Sequence, residues 1–78
     1  MPEVLLFTQP ECPPCEFFKL FLKEHQIRFQ EKNIKRDSKA RNMLIHTYNS
    51  YSTPTLVIDG RVYTSTQMDE IKAALDIN

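Results

Sequence analysis

The sequence predicts an α/β fold with the element order βαβαββα. Three observations carry that prediction. A short apolar run at residues 4–7 gives way to apolar positions at helical spacing, Asp59-Gly60 separates two strand-like stretches, and the chain closes on another segment of helical spacing. A chain of 78 residues buries only about 60% of its unfolded surface and has room for one core. Residues 1–78 are therefore read as a single domain, with no internal repeat or low-complexity linker.

The elements follow in order. Val4, Leu5, Leu6 and Phe7 form a continuous apolar run, the pattern of a strand buried on both faces, and Thr8-Gln9-Pro10-Glu11 supplies turn formers after it. Phe17, Phe18, Phe21 and Leu22 then recur at helical spacing with Lys19, Lys23 and Glu24 between them, which predicts an amphipathic helix from about residue 13 or 14 to 25, with all three phenylalanines in the core. Residues 27–34 alternate weakly and carry Arg28 and Lys32, which suits an exposed edge strand. A second helix is predicted from an Asp37 or Ser38 cap to Asn49, with Ala40, Met43, Leu44, Thr47 and Tyr48 on one face, and Ser50-Tyr51-Ser52 ends it. Residues 55–58 and 61–63 flank Asp59-Gly60, a two-residue hairpin turn. Ser65 or Thr66 is the expected cap of the last helix, which carries Met68, Ile71, Ala74 and Leu75 on one side and Asp69 and Glu70 near its start.

Composition narrows the function classes. Apolar residues make up 41% and charged residues 26%, a globular balance. Ten basic and ten acidic residues cancel, so no overall field draws nucleic acid or an anionic membrane. The longest apolar run falls far below the roughly 18 residues that span a bilayer, and the opening Met1-Pro2-Glu3 leads straight into a strand, so the expected location is cytoplasmic. Two cysteines three positions apart close too short a loop to serve as a structural staple.

Chemistry is the better account of that pair. Cys12-Pro13-Pro14-Cys15 stands beyond a strand end and at a helix start, the placement in which C-x-x-C reads as redox-active. The positive end of the helix dipole favours a thiolate there, and cysteines so placed have pKa values of about 3.5 to 7.5. Cys12, ahead of the helix, is the expected nucleophile, and Cys15, inside the first turn, the resolving thiol. Neither proline supplies an N–H, which leaves the Cys15 N–H as the nearest donor to the Cys12 sulfur. Glu11 and Glu16 oppose negative charge while Lys19 can offset them, so a moderate lowering is expected. A proline after Pro13 disfavours its helical conformation and shifts the expected helix start toward Pro14.

Phe7-Thr8, Cys12-Pro13-Pro14-Cys15, Phe29-Gln30-Glu31, Thr53-Pro54 and the Asp59-Gly60 hairpin, in this order and spacing, resemble a glutaredoxin over essentially the whole chain. The resemblance implies a thioredoxin-like fold, with a four-stranded mixed sheet in the order 2-1-3-4 flanked by three helices. It also implies a cis Pro54 facing the dithiol and a Thr53 that offers its backbone to substrate. The activity implied is reduction of a disulfide-containing protein or glutathione mixed disulfide by a monomer that needs no metal or prosthetic group. Glutathione or a reductase is then the electron donor.

The substrate site implied comprises Gln9, Pro13, Pro14, Thr53, Pro54, Thr66 and Gln67. Two positions depart from the glutathione-using pattern. Gln9 stands where a lysine is usual, and Thr64-Ser65-Thr66-Gln67-Met68 replaces a Gly-Gly and acidic stretch, leaving side chains and a helix start to hold an amino acid moiety.

Three other readings remain open at this level: a redoxin recharged by a flavin-dependent thioredoxin reductase, an interaction module with a vestigial dithiol, and a zinc module. His25 and His46 complete no zinc-finger spacing and read as surface residues. The basic set Lys32, Lys35, Arg36, Lys39 and Arg41 reads as a solvated face, and Tyr51 as cleft lining or core.

Overall fold

In the computed structural model, which describes residues 2–77, five consecutive buried residues form β1 (Val4–Thr8). This strand lies inside a four-stranded sheet of order β2-β1-β3-β4. It pairs in parallel with β2 (Gln30–Asn33) and antiparallel with β3 (Thr55–Ile58), which in turn pairs antiparallel with β4 (Arg61–Thr64). The strand order and the mixed sheet agree with the expected thioredoxin-like architecture.

Alternation along β1 and β3 builds two cores. Val4, Leu6, Leu56 and Ile58 face α1 (Pro13–Glu24) and α3 (Met68–Ala74), meeting Phe18, Leu22 and Ile71. Leu5, Phe7 and Val57 face the other way, onto Ala40 of α2 (Ser38–Asn42) and onto Leu44. A strand covered on both faces has no polar side to show in sequence, which is why residues 4–7 and 55–58 read as unbroken apolar runs.

Several boundaries move from the predicted ones. Thr8 completes β1 instead of opening the turn. The second strand pairs only over residues 30–33, because residues 26–29 are spent leaving α1. Gln26 takes a left-handed φ of 58°, the Ile27 N–H bonds the Leu22 carbonyl, and Ile27 and Phe29 pack against the α1 and α3 core. Helix α1 begins at Pro13. Proline fixes φ in the helical range and forfeits no bond in a first turn whose N–H groups have no helical partner, which outweighs the penalty of a following proline.

Asp37 caps α2 through Oδ1, which accepts the Lys39 and Ala40 N–H groups. The helix then widens into a π-helical turn (Met43–Thr47) and stops at Asn49, whose φ is 53°. This widening rotates the later side chains, so Thr47 is exposed while Leu44 is fully buried. The Asp59-Gly60 turn has positive φ at both residues, as a two-residue hairpin of matching twist requires, and Asp59 Oδ1 accepts the Glu3 N–H. Neither Ser65 nor Thr66 caps α3. Residues 65–66 close the turn after β4, and Gln67 takes the cap position without a side-chain bond to the helix. No described helix is long and apolar enough to cross a membrane.

Candidate active site

Strand β1 delivers the chain to the dithiol at its C-terminal end. Cys12 is the N-cap of α1, extended at φ −125° as a residue before proline should be, and its Sγ accepts the Cys15 N–H at 3.2 Å. With Pro13 and Pro14 at the first two helical positions, this is the first-turn N–H aimed at that sulfur, as expected from the sequence. The two cysteines are joined as a disulfide with Cα atoms 5.2 Å apart. Cys12 is half-buried and Cys15 fully buried, so only one of the two sulfurs offers a face to the outside.

The loop before β3 supplies the opposite wall. The Thr53–Pro54 peptide bond is cis, Pro54 is buried, and the Thr53 hydroxyl lies 3.9 Å from Cys12 Sγ. Side chains within the loop fix it in place. The Thr55 hydroxyl donates to the Ser52 carbonyl at 2.7 Å and accepts from Ser50 at 2.8 Å, while the Ser50 N–H bonds the Leu44 carbonyl.

A polar network sits at the same end of the sheet. The buried Thr8 hydroxyl donates to Glu31 Oε2 at 2.9 Å, and Lys19 Nζ reaches Glu16 at 2.7 Å and Glu31 at 3.3 Å. Partial burial opposes ionisation of Glu31, but the Thr8 hydroxyl and the Lys19 and Lys23 charges outweigh it and hold the carboxyl below its ordinary value. The Glu16 carboxylate raises Lys19, burial works against it, and Glu31 adds to the rise, leaving the ammonium above its ordinary value. Lys19 thus offsets Glu16, as expected from the sequence, and its charge is shared with Glu31, which the sequence did not indicate. Sequence spacing had no means of finding the Thr8–Glu31 and Lys19–Glu31 contacts, because they join β1, α1 and β2.

The remaining predicted residues are distributed as follows. Gln9 is half-buried directly beyond β1. Thr66 and Gln67 lie at the dithiol end of the sheet, since Thr55 pairs with Thr64, but in the turn that follows β4, two strands from β1. Gln67 Oε1 accepts the Thr64 N–H at 2.9 Å, and the Thr66 and Thr64 hydroxyls are 3.1 Å apart, so both side chains are engaged within their own turn. Tyr51 is 79% exposed, which excludes the core reading. Phe17 is also exposed, unlike Phe18 and Phe21, because its helical position points off the sheet. Lys35, Arg36, Lys39 and Arg41 are exposed and Lys32 is half-buried. Among the described residues no three His, Cys, Asp or Glu side chains converge as metal ligands.

Comparison with known proteins places this geometry in context. The glutaredoxin family model matches residues 4–63. An uncharacterized glutaredoxin-like 8.6 kDa protein from the rubredoxin operon of Clostridium pasteurianum is 26% identical over 73 residues, covering 94% of this chain and 97% of that one. Among solved structures, the thioredoxin-like protein BC3987 is 43% identical over 92% of this chain and 99% of its own, with a TM-score of 0.87. A glutaredoxin from Archaeoglobus fulgidus shares the fold at a TM-score of 0.76 and 22% identity, over 96% of this chain and 87% of that one.

Proposed function

The chain belongs to the glutaredoxin family, and on that premise we propose that it is a thiol–disulfide oxidoreductase in which Cys12 is the nucleophile and Cys15 the resolving thiol. The observation that carries this reading is the asymmetry of the pair. Cys12 Sγ is accessible and receives a helix-terminal N–H, while Cys15 is fully buried behind it. Charge on Cys12 is favoured by that donor and by the positive end of α1.

In the reduced protein, the Cys12 thiolate attacks one sulfur of a substrate disulfide. The substrate S–S bond breaks, its distal sulfur leaves as a thiolate and takes up a proton, and a mixed disulfide to Cys12 remains. Cys15, its proton given up to solvent, then attacks Cys12 Sγ and expels the second substrate thiolate. The substrate gains two electrons and two protons, and the dithiol becomes the Cys12–Cys15 disulfide. Pro13 and Pro14 bound the approach on one side and Thr53 and Pro54 on the other, where the Thr53 backbone pairs with the substrate chain as an added strand does. No metal or organic prosthetic group takes part.

Two electrons and two protons restore the dithiol, supplied either by two molecules of glutathione, which leave as glutathione disulfide, or by a flavin-dependent thioredoxin reductase. Gln9, where a glutathione site would place a lysine, favours the reductase. The test is a disulfide-reductase assay run in parallel with glutathione plus its reductase and with thioredoxin reductase, on the wild type and on Cys12→Ser. Turnover by the wild type with at least one donor and none by the variant is expected. Turnover at the wild-type rate by Cys12→Ser would overturn the assignment.

A further inference from the structure

Helix α1 carries an apolar stripe that the core does not use. Phe17 is 54% exposed and Leu20 61% exposed, and with the exposed Pro13 they fall at i, i+4 and i+7, one line along the helix starting beside Cys12. Single exposed apolar residues are ordinary, but a line of them leading away from an accessible sulfur is not. The Phe17 ring is also held in place. It stacks on Phe21 with centroids 6.2 Å apart and meets Phe18 edge-on at 5.4 Å, so it presents a fixed face and loses little rotamer freedom on being covered. A depression lined by Glu11, Cys12, Pro13 and Glu16 joins the stripe to the sulfur. Glu11 makes no ion pair among the described residues, and Lys19, paired to Glu16, is shared with Glu31.

We propose that the exposed face of α1 formed by Pro13, Phe17 and Leu20, together with Glu11 and Glu16 around Cys12, is the docking surface for the disulfide substrate. The occupant is a protein whose cystine is flanked by apolar side chains and by lysine or arginine. The inference rests on the proposed redox role of Cys12, because the face is contiguous with the sulfur that any substrate must reach. Charge selects the partner: an acidic rim attracts basic flanks and repels carboxylates. Small anionic disulfides, including glutathione disulfide, gain nothing from the apolar stripe and meet like charge at the rim.

The test is single-turnover exchange by the reduced full chain with three disulfides. The first is a cystine peptide flanked by Phe, Leu and Lys, the second the same peptide with Glu in place of Lys, and the third the neutral hydroxyethyl disulfide. Phe17→Ser and Leu20→Gln are compared with the wild type, after circular dichroism and thermal melting confirm folding of each. The wild type should react faster with the Lys peptide than with the Glu peptide. Each variant should lose about five- to tenfold on the Lys peptide, the scale of a truncated interface anchor, while its rate with hydroxyethyl disulfide stays within about twofold.

Equal reactivity of the two peptides would overturn the acidic rim, and unchanged peptide rates in both variants would overturn the stripe. Equal loss on peptide and small disulfide would show that Phe17 acts through Cys12 rather than on the substrate, which also overturns docking. Absence of exchange by the wild type with all three would instead defeat the redox role itself.

Discussion

At the scale of single residues, burial separates two chemically identical thiols. Cys15 is closed off and Cys12 is not, and one N–H directed at Cys12 Sγ gives that sulfur the better reason to carry charge. The pair was legible in the sequence because its spacing and its place after a strand are local facts. The Thr8, Glu31 and Lys19 contacts were not, because each joins side chains that only the folded sheet brings together. They yield a pH prediction. Glu31 has a folded pKa below its ordinary 4.5, so its contribution is fully present above that value and is lost as pH falls through the folded one. Glu31→Gln should lower stability near neutrality by about 0.5 to 1 kcal/mol, a modest figure because the carboxylate is partly solvated. The loss should vanish in acid, where the wild type has lost the same interaction. Urea denaturation of both proteins between pH 3 and 7 checks this, and parallel curves at every pH would contradict it.

Among the elements, α1 was read well from periodicity, and its start at Pro13 shows that a missing N–H costs nothing where none is required. Phe17 was misassigned to the core because an apolar residue at roughly the right spacing is indistinguishable from a core residue until the sheet's position is known. Residues 27–29 were read as strand for a similar reason, since apolar residues that pack beneath a helix end mimic the alternation of a strand. The cap of α2 was legible, and it carries a prediction. Asp37 Oδ1 satisfies two N–H groups of a short helix, so Asp37→Ala should cost about 1 kcal/mol of global stability. An unchanged urea midpoint would show that the π-helical turn alone holds this segment.

Across the molecule, one sheet separates two apolar clusters, and β1 and β3 contribute to both. The element order followed from the patterns of the sequence, but the strand order 2-1-3-4 came from resemblance, because periodicity says nothing about which strands are neighbours. The smaller cluster depends on α2, the π-helical turn and Leu44, which is fully buried against the sheet. Leu44→Ala should therefore destabilise by about 2 to 5 kcal/mol, measured by urea denaturation.

The central claim is that Cys12 makes the first bond to substrate. Intact-protein mass spectrometry of reduced Cys15→Ser after exposure to a disulfide tests it most directly, with peptide mapping of the adduct. The account predicts one stable mixed disulfide, located at Cys12, and no adduct on Cys12→Ser under the same conditions. An adduct that forms on Cys12→Ser through Cys15, or none on Cys15→Ser, would contradict it.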